Sequence, residues 1–312
     1  MKYLFVGLDP LTLYYIFLLS EDSETILYSK GFDLPAIRST GEFKVKLPME
    51  EVVSNIDGVV TDIMDLVDEK FDATFFIGQP YEVLGYINEF LEANIETHLL
   101  LLGCDGLHIE EKIVKDVDKK INMARILTDT HVKFELEKSM IKIAREERII
   151  LGYTIKRNES DLLLRIRDNL HRKRVRVLYY EQLRDIIWKR AALISIVDGL
   201  SSVLQTKFKI LQNSLEIRDL MESLTKEIEI VARKTGIDLS NLFRDITLYL
   251  SKNVEKVGIF YELAKHGKKT GVEFFNGALI DEASKLGLKL YYNKSLYVFI
   301  KALEESIKLS KM

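Results

Sequence analysis

All four prolines of this 312-residue chain lie at positions 10, 35, 48 and 80, and none follows Pro80. Proline removes a backbone donor and clashes with the preceding helical turn, so its absence predicts a second half built of long helices. From "EQLRDIIWKRAALISIVDGLSSVLQ" onward, apolar residues recur at spacings of three and four through five or six helices, broken at "TGID" and "KLGLK". Up to about Tyr180 the pattern is different. Short apolar runs, "YLFVG", "ETILY", "DATFFIG", "THLLLLG" and "RVLYY", alternate with helical segments such as 81–93. That alternation predicts a mainly parallel sheet covered by helices, to which "GEFKVKLP" and "ERIILGYTIKR" add antiparallel strands.

A chain of this length with 47% hydrophobic residues can bury a core large enough for two domains. The expected division is residues 1–180 and 181–312, joined without a flexible linker. The net charge of -3 makes no electrostatic case for nucleic acid as a partner. Cys104 is the single cysteine, which excludes an internal disulfide, and no Cys/His cluster has metal-ligand spacing. No stretch approaches about 18 uninterrupted apolar residues, and no basic segment precedes a signal-length apolar run, so a cytoplasmic protein without a membrane segment is expected.

The opening "KYLFVGLDPLTLYYIFLLS" reads as a buried strand through Val6, a loop, and an apolar helix from about Leu11. In dinucleotide-binding proteins this position carries three glycines that let the pyrophosphate approach a helix N-terminus. Here the loop offers Gly7 alone, followed by Asp9 and Pro10. Asp followed by Pro is a good N-cap and first-turn pair, so the Asp9 carboxylate can accept the helix N–H groups itself. On that reading it fills the place of a phosphate. A shifted loop that still admits a cofactor is the other reading.

Beyond this loop, three longer stretches carry a resemblance. "ILYSKGFDLPAIRSTGEFKVKL", "IIWKRAALISIVDGLSSVL" and "HGKKTGVEFFNGALIDEASKLGLKL" resemble segments of the ketopantoate reductase (2-dehydropantoate 2-reductase) family, with Trp188, Leu200, Gly267, Thr270, Asn276 and Gly277 shared by identity. The resemblance implies an α/β fold: an N-terminal Rossmann-like, mainly parallel sheet domain followed by an all-helical C-terminal domain. It also implies reduction of a 2-oxo acid by hydride transfer from NADPH, and a homodimer formed through the helical domain.

Carried over position by position, the resemblance fails at the residues that do the chemistry. The cofactor-binding candidates are Gly7, Ser29 and Lys30, with Gln79 and Gly103 standing where the family has a lysine and an asparagine. Lys30 suits a 2'-phosphate, although a lysine after a strand is commonly just solvated. The family's catalytic lysine falls on Arg190 and its two asparagines fall on Ile194 and Asp198. Arginine, with a pKa above about 12, cannot donate a proton near neutrality, but it can hold a carboxylate through two hydrogen bonds. Lys189 is adjacent yet points about 100° around the helix. The family's substrate-binding glutamate becomes Gly271, and its upstream serine becomes Ile259 or Gly258. Asp198, Glu273 and Asn276 remain as substrate-binding candidates, and Arg190 and Lys189 as catalytic ones.

His98, His108, His131, His171 and His266 show no triad or ligand spacing, "HRKRVR" reads as a solvated face, and Tyr291 and Tyr292 read as packing residues. Two functions follow. One is a ketopantoate reductase-like protein without reductase activity, acting as a binding or assembly protein with a small-molecule or nucleotide ligand. The other is an NADP-dependent 2-oxo acid reductase of altered specificity, in which Arg190 holds the substrate carboxylate.

Overall fold

The structure is a computed structural model that describes residues 1–30, 35–145 and 148–311. Parts of two quoted segments, residues 31–34 and residue 147, lie outside the described residues. The chain forms two compact units. One comprises Met1–Cys104 and Glu110–Leu183, and the other Asp105–Ile109 and Arg184–Met312.

The first unit carries the strands β1 (Lys2–Val6), β2 (Glu24–Tyr28), β3 (Glu42–Lys46), β4 (Glu51–Asn55), β5 (Gly58–Val60), β6 (Lys70–Phe71), β7 (Ala73–Ile77), β8 (Glu96–Thr97), β9 (Leu99–Gly103), β10 (Asn122–Thr128), β11 (His131–Glu135), β12 (Met140–Arg145), β13 (Ile149–Ile155) and β14 (Val177–Tyr180). Its helices are α1 (Pro10–Leu19), α2 (Pro35–Thr40), α3 (Pro80–Glu92), α4 (Ile109–Ile113) and α5 (Leu162–Arg172). The main sheet runs β14-β13-β10-β9-β7-β1-β2-β5. From β10 to β5 every pair is parallel, while β13 is antiparallel to β10 and parallel to β14.

Numbered along the chain, the six parallel strands have the order 3-2-1-4-5-6, the doubly wound nucleotide-binding arrangement. The expected mainly parallel sheet is therefore present. Strands covered on both faces must be apolar throughout, and each residue of β7, like Leu99 to Leu102 of β9, is buried. Phe5 and Phe75 stack at 4.5 Å between ring centroids across the β1–β7 pair. Helix α1 is apolar on all sides because it packs against α5 and against β11 and β12. Those two strands belong to a second sheet, β11-β12-β3-β4, in which "EFKVK" pairs antiparallel with β4.

In the second unit the helices are α6 (Arg184–Leu204), α7 (Phe208–Asn213), α8 (Leu215–Lys234), α9 (Leu242–Lys252), α10 (Ile259–Lys265), α11 (Asn276–Lys285) and α12 (Tyr291–Leu309). Helix α6 is the central one, in contact with α7, α8, α9, α10, α11 and α12. Trp188 on it is 6% exposed. Gly199 lets α12 approach, since an added Cβ would lie 3.0 Å from Leu296. Among the described residues, no helix is long and apolar enough to cross a membrane.

Candidate functional site

In a doubly wound sheet, ligands bind beyond the carboxyl ends of the strands where the strand order reverses, here between β1 and β7. The loops after these strands lead into α1 and α3. Asp9 is the N-cap of α1, with Oδ1 accepting from the Leu11 N–H at 2.8 Å and a reciprocal bond from the Asp9 N–H to the Thr12 hydroxyl. Pro10 occupies the first turn. Gly7 takes a left-handed φ of +92°, and an added Cβ would sit 3.1 Å from the Tyr86 ring and 3.2 Å from the Ile77 carbonyl oxygen. The Tyr86 ring therefore covers the one glycine the loop retains.

The N-terminus of α3 is similar. Its N-cap, Gln79, donates its backbone N–H to Glu82 Oε2 at 3.2 Å. Both helix N-termini at the switch point thus carry carboxylates of the chain itself. At the end of β2, Lys30 bonds Glu89 Oε1 at 3.1 Å, and the Tyr28 hydroxyl donates to the same oxygen at 2.9 Å. Burial, reinforced by Glu89, pushes the Tyr28 phenol well above its usual range. Ser29 next to it is buried. Gly103 lies opposite Ile77 in the β7–β9 register, where an added Cβ would come within 2.8 Å of that side chain. Packing against Ile77 by itself calls for a glycine at this position.

Both catalytic candidates on α6 are ion-paired. Arg190 grips Asp105 with Nε on Oδ1 at 2.6 Å and Nη2 on Oδ2 at 2.9 Å. Lys189 pairs with Asp245 of α9, away from the Arg190 face, and the two line a small cleft of about 80 Å³ together with residues 238–242. Ile194, one turn beyond Arg190, is half-buried.

Asp198 is 7% exposed and accepts from the Ile259 N–H at 3.0 Å. Burial pushes its carboxyl up to about 6, against the pull of that hydrogen bond and of Lys256 and with repulsion from Asp105. Ser201 and Ser202 accept from the N–H groups of Gly258 and Tyr261, so three side chains of α6 together hold the start of α10. Gly258 is required there: an added Cβ would lie 2.3 Å from both the Asp198 carbonyl oxygen and Ser202 Oγ.

The remaining candidates are tied into the same helical unit. Glu273 accepts from Lys301 at 2.8 Å, and Lys301 also bonds Glu304, which in turn accepts from Thr270 at 2.6 Å. Burial disfavours the Lys301 charge, but the two carboxylates outweigh it and raise the ammonium above its usual range. Asn276 is fully buried and donates to the Ser195 carbonyl at 3.3 Å, pinning α11 to α6. A shallow groove of about 440 Å³ between Glu229 and Ser240 contains none of these residues.

Residues 182–304 match the family described as ketopantoate reductase PanE/ApbA C terminal. The chain is ketopantoate reductase-like. A 2-dehydropantoate 2-reductase of Streptococcus pyogenes is 22% identical over 152 residues, a match spanning 47% of this chain and only 49% of that relative. The structure of a PanE/ApbA family ketopantoate reductase from Ralstonia eutropha superposes with a TM-score of 0.83 at 15% identity, covering 99% of this chain and 100% of the other. A D-mandelate dehydrogenase solved with NADH and anilino(oxo)acetate superposes with a TM-score of 0.82 at 16% identity, again over 99% and 100%. At such identities these superpositions establish the shared fold.

Two charged groups of the structure, Asp105 and Arg125, have no signal in the sequence. Asp105 lies 85 positions from its partner Arg190, so no local pattern announces it. Arg125 is fully buried in the middle of β10, where its Nε and Nη2 bond Glu110 at 2.7 and 2.6 Å and its Nη1 bonds the Cys104 carbonyl at 2.9 Å. Burial opposes charge on Glu110, but Arg125 outweighs it and holds the carboxyl below its usual range.

Proposed function

We propose that this ketopantoate reductase-like chain lacks the family's reductase activity and acts as a binding or assembly protein on the inherited fold. The observation that carries the reading is Asp9 capping α1. Two like charges 4 Å apart repel by about 4 kcal/mol at an effective dielectric constant of about 20, so a phosphate at this helix end would meet repulsion where other nucleotide folds offer free N–H groups. Glu82 at α3 adds a second carboxylate, and the cations inherited for cofactor and substrate are already partnered: Lys30 by Glu89, Arg190 by Asp105 and Lys189 by Asp245. These groups do not fit a dinucleotide pyrophosphate. The ligand is then a small molecule or a protein, including a second copy of this chain. A ketopantoate reductase of Staphylococcus aureus with this fold is described as dimeric, and Tyr291 and Tyr292, expected from the sequence to be packing residues, are instead exposed at the start of α12, with Val298 and Phe299 exposed further along it for such an association.

An assay at 340 nm tests the reading. No ketopantoate-dependent NADPH oxidation is expected from the unmodified protein or from Arg190→Lys, because groups that act as a unit give little when repaired singly. Turnover is expected only when Asp9→Gly, Arg190→Lys, Ile194→Asn and Gly271→Glu are combined in a protein that still folds, the last of them placing a side chain at a left-handed φ of 73°. Robust oxidation by the unmodified protein would reverse the proposal.

The second reading, a reductase of altered specificity, draws on the shared fold of the NADH-bound D-mandelate dehydrogenase. On that reading Glu89 beside Lys30 favours a ribose hydroxyl over a 2'-phosphate, and hence NAD over NADP.

A further inference from the structure

We propose that Asp105 is an internal ligand of an anion site on α6: its carboxylate fills the guanidinium fork of Arg190, and when it is removed the fork takes a small external carboxylate. The inference builds on the proposed loss of reductase activity. The Arg190–Asp105 pair has two parallel hydrogen bonds, the arrangement in which arginine recognises a carboxylate. Both side chains keep some exposure, 16% for Arg190 and 24% for Asp105, which leaves a path for a small anion.

The segment that delivers Asp105 is shaped for the purpose. Five residues, Asp105–Ile109, leave the sheet unit and join the helical one. Gly106 has a φ of +114°, where an added Cβ would lie 2.9 Å from the Phe274 Cβ. Leu107 donates its N–H to the Phe274 carbonyl at 2.8 Å, and His108, in a left-handed conformation with φ of 61°, places Nε2 3.0 Å from Glu282. The stems are fixed as well, since the buried Arg125 guanidinium holds both the Cys104 carbonyl and the Glu110 carboxylate. A non-glycine residue in a left-handed conformation and a buried clasp are maintained only where the surroundings over-determine them. Here they place one carboxylate on one guanidinium.

The next carboxylate along the helix does not replace Asp105. Asp198 stands two turns along α6, about 12 Å by helical rise, and its Oδ1 is engaged by the Ile259 N–H. Ile194 between them is apolar. Removing Asp105 therefore takes away the carboxylate that Nε and Nη2 grip, and with it the bidentate acceptor of the fork.

The test titrates sodium acetate, with sodium chloride at matched ionic strength as the control, into the unmodified protein, Asp105→Ala, Asp105→Ser and Asp105→Ala/Arg190→Met. Thermal stability and the Arg190 side-chain NMR resonance are followed. Saturable stabilisation of both single variants by acetate is expected at about millimolar concentration, as befits a ligand of few atoms. The response should be at least about 10-fold weaker in the unmodified protein and in the double variant. Folding of a single variant only when acetate is present, and not chloride, would equally support the proposal. It is overturned if acetate acts no differently from chloride, if Arg190→Met leaves the response intact, or if both single variants stay unfolded at every acetate concentration. The probe contains no nucleotide, so its outcome is separable from the NADPH assay that tests the proposed function.

Discussion

Asp198→Asn should stabilise the helical unit at neutral pH, although it alters one of the substrate-binding candidates. The Asp198 carboxyl is raised from the ordinary 3.8 to about 6 by burial. For an acid raised in the folded state, the native form binds more protons than the unfolded one between these two values, so stability falls as pH rises through that window. Above it the ionised group costs about 3 kcal/mol, because each tenfold change in acidity is worth about 1.36 kcal/mol. Asparagine is nearly isosteric, carries no charge, and keeps an oxygen to accept the Ile259 N–H. It adds an amide N–H₂ whose poor pairing costs about 1 kcal/mol. The net expectation at pH 7.5 is a gain of about 2 kcal/mol that shrinks toward zero near pH 4. Urea unfolding followed by fluorescence of Trp188, the single tryptophan and a buried residue of α6, reports the helical unit directly. A loss of stability at pH 7.5, or a difference that does not shrink in acid, would refute the argument.

Further outcomes are expected at three other places. Arg125→Met should cost about 3–5 kcal/mol by stranding the buried Glu110 carboxylate, and Arg125→Met/Glu110→Leu should recover most of that, as measured by urea denaturation. Gly258→Ala should cost at least about 3 kcal/mol or prevent folding, because its Cβ has no room beside Asp198 and Ser202; the yield of folded protein and its thermal midpoint check this. Lys30→Ala should change stability by less than about 0.5 kcal/mol, because the Lys30 side chain in the Glu89 pair is 72% exposed, and differential scanning calorimetry would detect a larger effect.

Legibility in the sequence followed the locality of the physics. The strands buried on both faces, such as "ATFFI" and "LLLLG", announce themselves as unbroken apolar runs, and the Asp-Pro pair at 9 and 10 marks the cap it forms. Strand β10, "NMARILT", does not, because Arg125 interrupts its apolar run and is paired with Glu110, a residue on α4. Likewise, the substitution of Arg190 for lysine is visible along the chain. That its fork is already filled depends on a fold-back across 85 positions. The sequence separation of 59 residues hides the Lys30–Glu89 pair for the same reason.

The most direct test of the account is calorimetric titration of NADPH and NADH into the unmodified protein at low ionic strength, beside Asp9→Gly. No measurable binding of either dinucleotide to the unmodified chain is expected, with a gain in affinity on removal of the Asp9 carboxylate. Micromolar affinity of the unmodified chain would contradict it.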